Sequence, residues 1–81
     1  MITRLVISRV NGISAWSKAW RHNKTLGQAV RYLRAGDLVV RTGLVDTGFE
    51  RCLHPVVGAV WIEVSMLDAW FDDVQSSPPV G

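Results

Sequence analysis

Only three side chains in this sequence are conventional soft metal ligands or nucleophile–base partners: His22, Cys52 and His54. Structural zinc sites take their ligands from tight spacings such as C-x-x-C or H-x-x-x-H, and neither occurs here. Cys52 and His54 sit two apart in a stretch that reads as loop. They would be a nucleophile and a base without a third group to orient the base. Asp72 and Asp73 could hold a cation in principle, but adjacent acids near a helix end read as solvated surface. There is no G-x-S-x-G, no phosphate-binding glycine loop and no G-x-G-x-x-G. The sequence therefore points to a binding protein, not an enzyme, with no cofactor and no metal.

The residues best suited to binding chemistry lie in "QAVRYLRAGDLVVRTG", residues 28–43. Leu26, Ala29, Val30 and Leu33 recur at i, i+3, i+4 and i+7, the stripe of an amphipathic helix over 25–35. Thr25 is its expected N-cap and Gly36 its expected C′ glycine. Gly27, Gln28, Arg31 and Ala35 then face away from the stripe, with Tyr32 and Arg34 on its flanks. Gln28 and Arg31 have the paired donors and acceptors that read adenine and guanine edges. A solvent-facing helix with two ordinary arginines would show the same pattern.

The flanking elements are of uneven clarity. Residues 2–10 fit either a strand or a helical stripe, and Asn11-Gly12 is a turn signal. Ile13, Trp16 and Trp20 share a helical face, so 13–21 is expected to be a helix; the alternative is the second strand of a hairpin turning at Asn11-Gly12. "DLVVRTGLV" reads as a strand, 42–56 as a long loop or hairpin tip, and "VGAVWIEV" as a second strand, with Val60, Ile62 and Val64 on one face. Ser65 is the expected cap of a last helix, with Asp68 at N3 as a short capping box. Met66, Leu67, Trp70, Phe71 and Val74 form its apolar face. The expected organisation is one domain over 1–75 and a disordered tail over 76–81.

Composition agrees with one small packed domain. The chain has 81 residues, 48% hydrophobic, including four tryptophans. A single cysteine cannot form an internal disulfide. With only a short apolar run, "LVI", near the N-terminus, the expected location is a reducing cytoplasm. No segment approaches the ~20 apolar residues of a membrane helix. Net charge is +2, but residues 1–41 carry eight of the nine Lys/Arg against one acid, and residues 42–81 carry one against six. Such segregation suggests a basic face for a polyanion; two solvated surfaces would account for it equally well.

The order helix, turn, helix, strand, loop, strand, helix, together with "AVRYLRAGDLVVR" at 29–41 and "AVWIEVSMLDAWFDD" at 59–73, resembles the phage excisionase group of small winged helix-turn-helix proteins, related to MerR-type DNA-binding domains. Val39 stands where that group usually has proline, and the wing segment is longer than typical. The resemblance implies an α+β winged helix-turn-helix with the 25–35 helix in a major groove of double-stranded DNA and the wing along the backbone. Gln28 and Arg31 would then read bases, small Gly27 and Ala35 would let the groove wall approach closely, and Thr25 would join the DNA-binding set. Arg21, Lys24, Arg34 and Arg41 would contact phosphates, which adds salt-dependent affinity without sequence information. It further implies DNA bending, cooperative self-association on DNA, and work with an integrase or at a promoter in a phage-infected host cell. Two rivals fit the same charge. One is a phage-encoded inhibitor that occupies a host machine's nucleic-acid site, and the other is a structural phage component.

Overall fold

The structure is a computed structural model that describes residues 3–17 and 29–74. It overturns the winged helix-turn-helix expectation. The described residues form seven antiparallel strands and one short helix. The strands are β1 (Arg4–Ser8), β2 (Ile13–Trp16), β3 (Ala29–Leu33), β4 (Leu38–Asp46), β5 (Phe49–His54), β6 (Gly58–Glu63) and β7 (Phe71–Asp73); the helix α1 (Val64–Trp70) lies between β6 and β7. One sheet in the order β3-β2-β6-β5-β4-β1-β7 curls into a half-barrel.

β1 pairs with β4 and β2 pairs with β3, so residues 4–16 run against 29–46 as one long bent ribbon. The bend is pinned where the strands turn. Gly36 donates to the Ser8 carbonyl at 2.8 Å, Ser8 to the Asp37 carbonyl at 2.9 Å, and Gly12 to the Leu33 carbonyl at 2.7 Å. Gly36, with φ of 96°, turns the chain between β3 and β4 and ends no helix. Its left-handed conformation carries little penalty only in glycine.

Both expected N-terminal helices are therefore corrected. In β2, Ile13 and Ala15 are buried while Ser14 and Trp16 are half-buried, a period of two. In β3, Leu33 is fully buried and the next residue back, Tyr32, is 65% exposed. The helical stripe was a coincidence of apolar spacing in a segment short enough to satisfy both periods. β-branched and aromatic residues pack well on a pleated surface, and pairing with β2 decides the outcome.

The expected wing is also a correction. Residues 42–56 are the end of β4, a tight turn and all of β5. Thr47 (φ 50°) and Gly48 (φ 83°) occupy the two central positions of the β4–β5 hairpin, and Asp46 faces Phe49. Two successive positive φ values match the right-handed twist of the flanking strands. Cys52 and His54 of the former loop point inward and are buried, and Phe49, opposite Glu63, is buried outside the core cluster. The strand over 58–63 is as expected, with Val60 and Ile62 buried and Glu63 exposed.

Val6, Ile13, Ala15, Leu33, Val39, Cys52, Val60, Ile62, Leu67 and Phe71 make one continuous core. α1 contributes Leu67 to it. Ser65 does not cap α1; its hydroxyl donates to the Glu63 carboxylate at 2.7 Å. Among the described residues no helix is long and apolar enough to cross a membrane.

Candidate functional site

The sequence placed basic residues in one half and acidic residues in the other, and the fold puts them back together. Arg4 reaches Asp73 through Nε and Nη2 at 3.1 and 2.8 Å. The Arg9 guanidinium lies 3.3 Å from Asp72, donates to the Ala69 carbonyl and sits 6.0 Å from the Trp70 ring centroid. Asp72 and Asp73 are thus each answered by an arginine and point to opposite faces of β7, opposite Ile7 and Val6. They do not form a shared cation site. No group of three or more metal-ligating side chains exists among the described residues.

Arg41, expected on the DNA backbone, points into the half-barrel and is 8% exposed. Its Nε and Nη2 donate to one oxygen of buried Glu50 at 3.0 and 2.7 Å, and its Nη1 donates to Asp68 at 3.1 Å. Burial alone would lower its pKa, but the hydrogen bonds to Glu50 and Asp68 outweigh that and hold it above the ordinary value. The other Glu50 oxygen accepts the Gly43 N–H at 3.0 Å. This N–H is free of the ladder because β4 bulges between Arg41 and Val45, with Gly43 at φ 83°. A bulge re-aims backbone groups in this way.

Cys52 lies beside this cluster. Burial, reinforced by the nearby Glu50 charge, pushes its thiol up to about 12 against the smaller opposing effect of Arg41. A thiol held protonated is a poor nucleophile and a poor ligand. The His54 Nδ1 accepts from the N–H groups of Val56 and Val57 at 3.0 and 3.3 Å. That fixes the neutral tautomer with the proton on Nε2 and closes the β5–β6 turn. Burial, with a smaller contribution from Arg31, lowers the His54 pKa, against the opposing pull of Asp37.

A pH effect follows from that direction. A histidine whose folded pKa is depressed makes the folded state bind fewer protons than the unfolded state. Its stabilising contribution is complete above the unfolded value of about 6.5 and is lost as pH falls through the folded value. Urea titrations are expected to show lower stability at pH 5.5 than at 7.5. His54→Gln is expected to flatten that difference, and an unchanged difference would remove His54 as its source.

What stays open is the end of β3. Arg31, Tyr32 and Arg34, with Asn11, Gly12 and Asp37, line a cleft of about 890 Å³. The corner holds it in shape: Asp37 accepts the Arg34 N–H and Asn11 accepts the Ala35 N–H, both at 2.9 Å. Arg31 is only loosely tied, with its Nε 3.9 Å from Asp37. Arg34 has no carboxylate partner among the described residues. Of the other expected site residues, Arg21, Lys24, Thr25, Gly27 and Gln28 lie outside the described residues. Tyr32 and Asn11 are additions to the expected set. The strand period, had it been preferred to the helical one, would have set Tyr32 opposite to Leu33 and therefore outward.

No protein family, no curated protein and no solved structure matches this chain.

Proposed function

We propose that the chain is a non-enzymatic nucleic-acid-binding module that engages its ligand at the β3 cleft. The observation that carries this reading is Tyr32, 65% exposed and on the same strand face as Arg34, both lining an open cleft. Arg4, Arg9 and Arg41, by contrast, are tied to acids of the chain's second half. An exposed aromatic beside a cation suits a stacked base with its phosphate, which favours single strands over a duplex groove. The major-groove helix that would have supported an excisionase-type role is absent, since Ala29–Leu33 is a strand. DNA bending with an integrase remains one use to which such binding could be put. A titration with duplex DNA beside the single strand tests it.

Fluorescence anisotropy with labelled single-stranded and duplex oligonucleotides at two salt concentrations is the test. Tyr32→Ala is expected to weaken single-strand binding by ~1–3 kcal/mol, the contribution of one stacked base. Arg34→Ala is expected to weaken binding to all sequences and to reduce the salt slope by about 0.7, one phosphate contact on a single strand. Binding that is absent at low salt, or indifferent to both changes, defeats the proposal. A second reading, engagement of protein, is favoured by one specific observation, the apolar outer face of the sheet.

A further inference from the structure

Arg31 and Arg34 give the β3 cleft its positive charge, yet Asp37 lines it too. A carboxylate there repels phosphate, so its presence asks for a physical reason. Holding the corner is not sufficient. Asp37 Oδ2 accepts the Arg34 N–H at 2.9 Å, and one residue further on the Asn11 amide oxygen accepts the Ala35 N–H at the same distance. A neutral amide thus does the same work beside it. What a carboxylate adds is acceptor capacity, about four lone-pair sites on two coplanar oxygens. Among the described residues only the Arg34 N–H takes one by a hydrogen bond.

Arg31 does not use up the rest. Its Nε stands 3.9 Å from Asp37, longer than a hydrogen bond, and this buried nitrogen has no hydrogen-bond partner. The Arg31 side chain is 39% exposed and that of Asp37 24%, and both line the cleft. A pair of acceptors therefore sits beside a group that only donates. Unstacked bases are read on their Watson–Crick edges. Guanine alone presents two adjacent donors there, N1–H and N2–H, followed by an acceptor, O6. Cytosine has one donor and then two acceptors, and adenine one donor and one acceptor. Thymine and uracil have one donor between two acceptors. Each of these sets a base lone pair against a half-buried carboxylate, which is unfavourable.

We infer that the cleft selects guanine within a single strand. The Asp37 carboxylate accepts from N1–H and N2–H, and the Arg31 guanidinium donates to O6. This choice of base rests on the proposal that a single strand enters the cleft, and adds which base it presents there. Tyr32 gives no such choice, because every base has a π-face to stack. Arg34 gives none either, because a phosphate contact carries no sequence information. Discrimination falls to Asp37, at the expense of some attraction for phosphate. Removing its charge must then act in opposite directions on guanine and on the other bases.

Fluorescence anisotropy of the full chain at low salt tests it. The probes are labelled thymidine strands with one central guanine, hypoxanthine, adenine or cytosine. Guanine is expected to bind about 5- to 150-fold tighter than adenine or cytosine, the discrimination of one bidentate pair. Hypoxanthine keeps N1–H and O6 but lacks the N2 amine, and is expected to fall between. Asp37→Asn keeps an oxygen for the Arg34 N–H and removes the charge. It is expected to lose the guanine preference while binding the other strands at least as tightly as the parent does. Uniform tightening on all strands, the effect of charge alone, overturns the inference. So does a parent protein that binds all four strands equally. In both cases single-strand binding at the cleft survives if Tyr32→Ala still weakens it. No binding to any strand defeats that binding and the choice of base together. If Asp37→Asn does not fold, the parent's order of guanine, hypoxanthine and adenine decides alone. GMP, which lacks the neighbouring phosphates, is expected to compete only far above the strand's own concentration. Equal potency would make a free nucleotide the ligand and overturn the strand.

Discussion

Glu50→Ala is expected to cost about 3–5 kcal/mol, the penalty for leaving one member of a buried ion pair without its partner. The mechanism is specific. Arg41 is buried with three of its donor contacts going to carboxylates, two of them to Glu50. With Glu50 gone, the guanidinium keeps only Asp68, whose side chain is 65% exposed and gives a weak, screened contact. The Gly43 N–H at the bulge loses its acceptor at the same time. A domain of this length holds roughly 4–12 kcal/mol in total, so this one change approaches unfolding. Asp68→Ala is expected to cost at most about 1 kcal/mol, as for an exposed partner. Arg41→Met combined with Glu50→Leu is expected to recover most of the loss, because apolar replacement of both partners removes the desolvation penalty along with the attraction. Urea midpoints for the three variants decide it. A Glu50→Ala protein as stable as the parent would show that the pair contributes nothing to the fold.

The ion pair also shows what the sequence could and could not reveal. Its partners stand nine residues apart on the two strands of one hairpin, and only the β4–β5 register, with its bulge, brings Arg41 and Glu50 together. Yet part of the signal was present: Arg41 has the same strand parity as Val39, so alternation alone sets it on the core side. It was read outward because a basic residue beside a proposed recognition helix suggests phosphate. β4 and β6 were legible because apolar β-branched residues alternate there over enough length to exclude a helix. At 13–16 and 29–33 the runs are too short for the period to be decisive, and pairing partners absent from any local window settled the matter. The turn at Thr47-Gly48 was illegible for a different reason. A β-branched residue with positive φ is uncommon, and no composition rule anticipates it. The residues of the cleft were only partly singled out in the sequence: Arg31 and Arg34 stood out as cations, whereas the exposure of Tyr32 follows only from the strand period.

The C-terminal packing gives the second large effect, and it reverses an expectation. The helical stripe of Met66, Leu67, Trp70, Phe71 and Val74 makes Trp70 the natural anchor of the core. Instead α1 ends at Trp70, and the chain is already extended at Phe71, with φ −118° and ψ 143°. One residue of altered geometry turns Phe71 in and leaves Trp70 out. Leu67 is 1% and Phe71 7% exposed, while Trp70 is 43% exposed and touches Arg9 across its ring face. Leu67→Ala should therefore cost about 2–5 kcal/mol and Phe71→Ala about 3–5 kcal/mol, with the cavity adding to the lost transfer energy. Trp70→Ala should cost no more than about 1 kcal/mol, the scale of an exposed cation–π contact. A difference of 1 kcal/mol shifts the melting temperature by roughly 4–8 °C in a domain of this size, so thermal scans separate the two classes. If Trp70→Ala proved as damaging as Leu67→Ala, the helix would have to continue past residue 70 and β7 could not pair with β1. That pairing holds the edge of the sheet through the Arg4–Asp73 and Arg9–Asp72 contacts, so the same experiment tests the ion pairs that draw the two halves of the chain together.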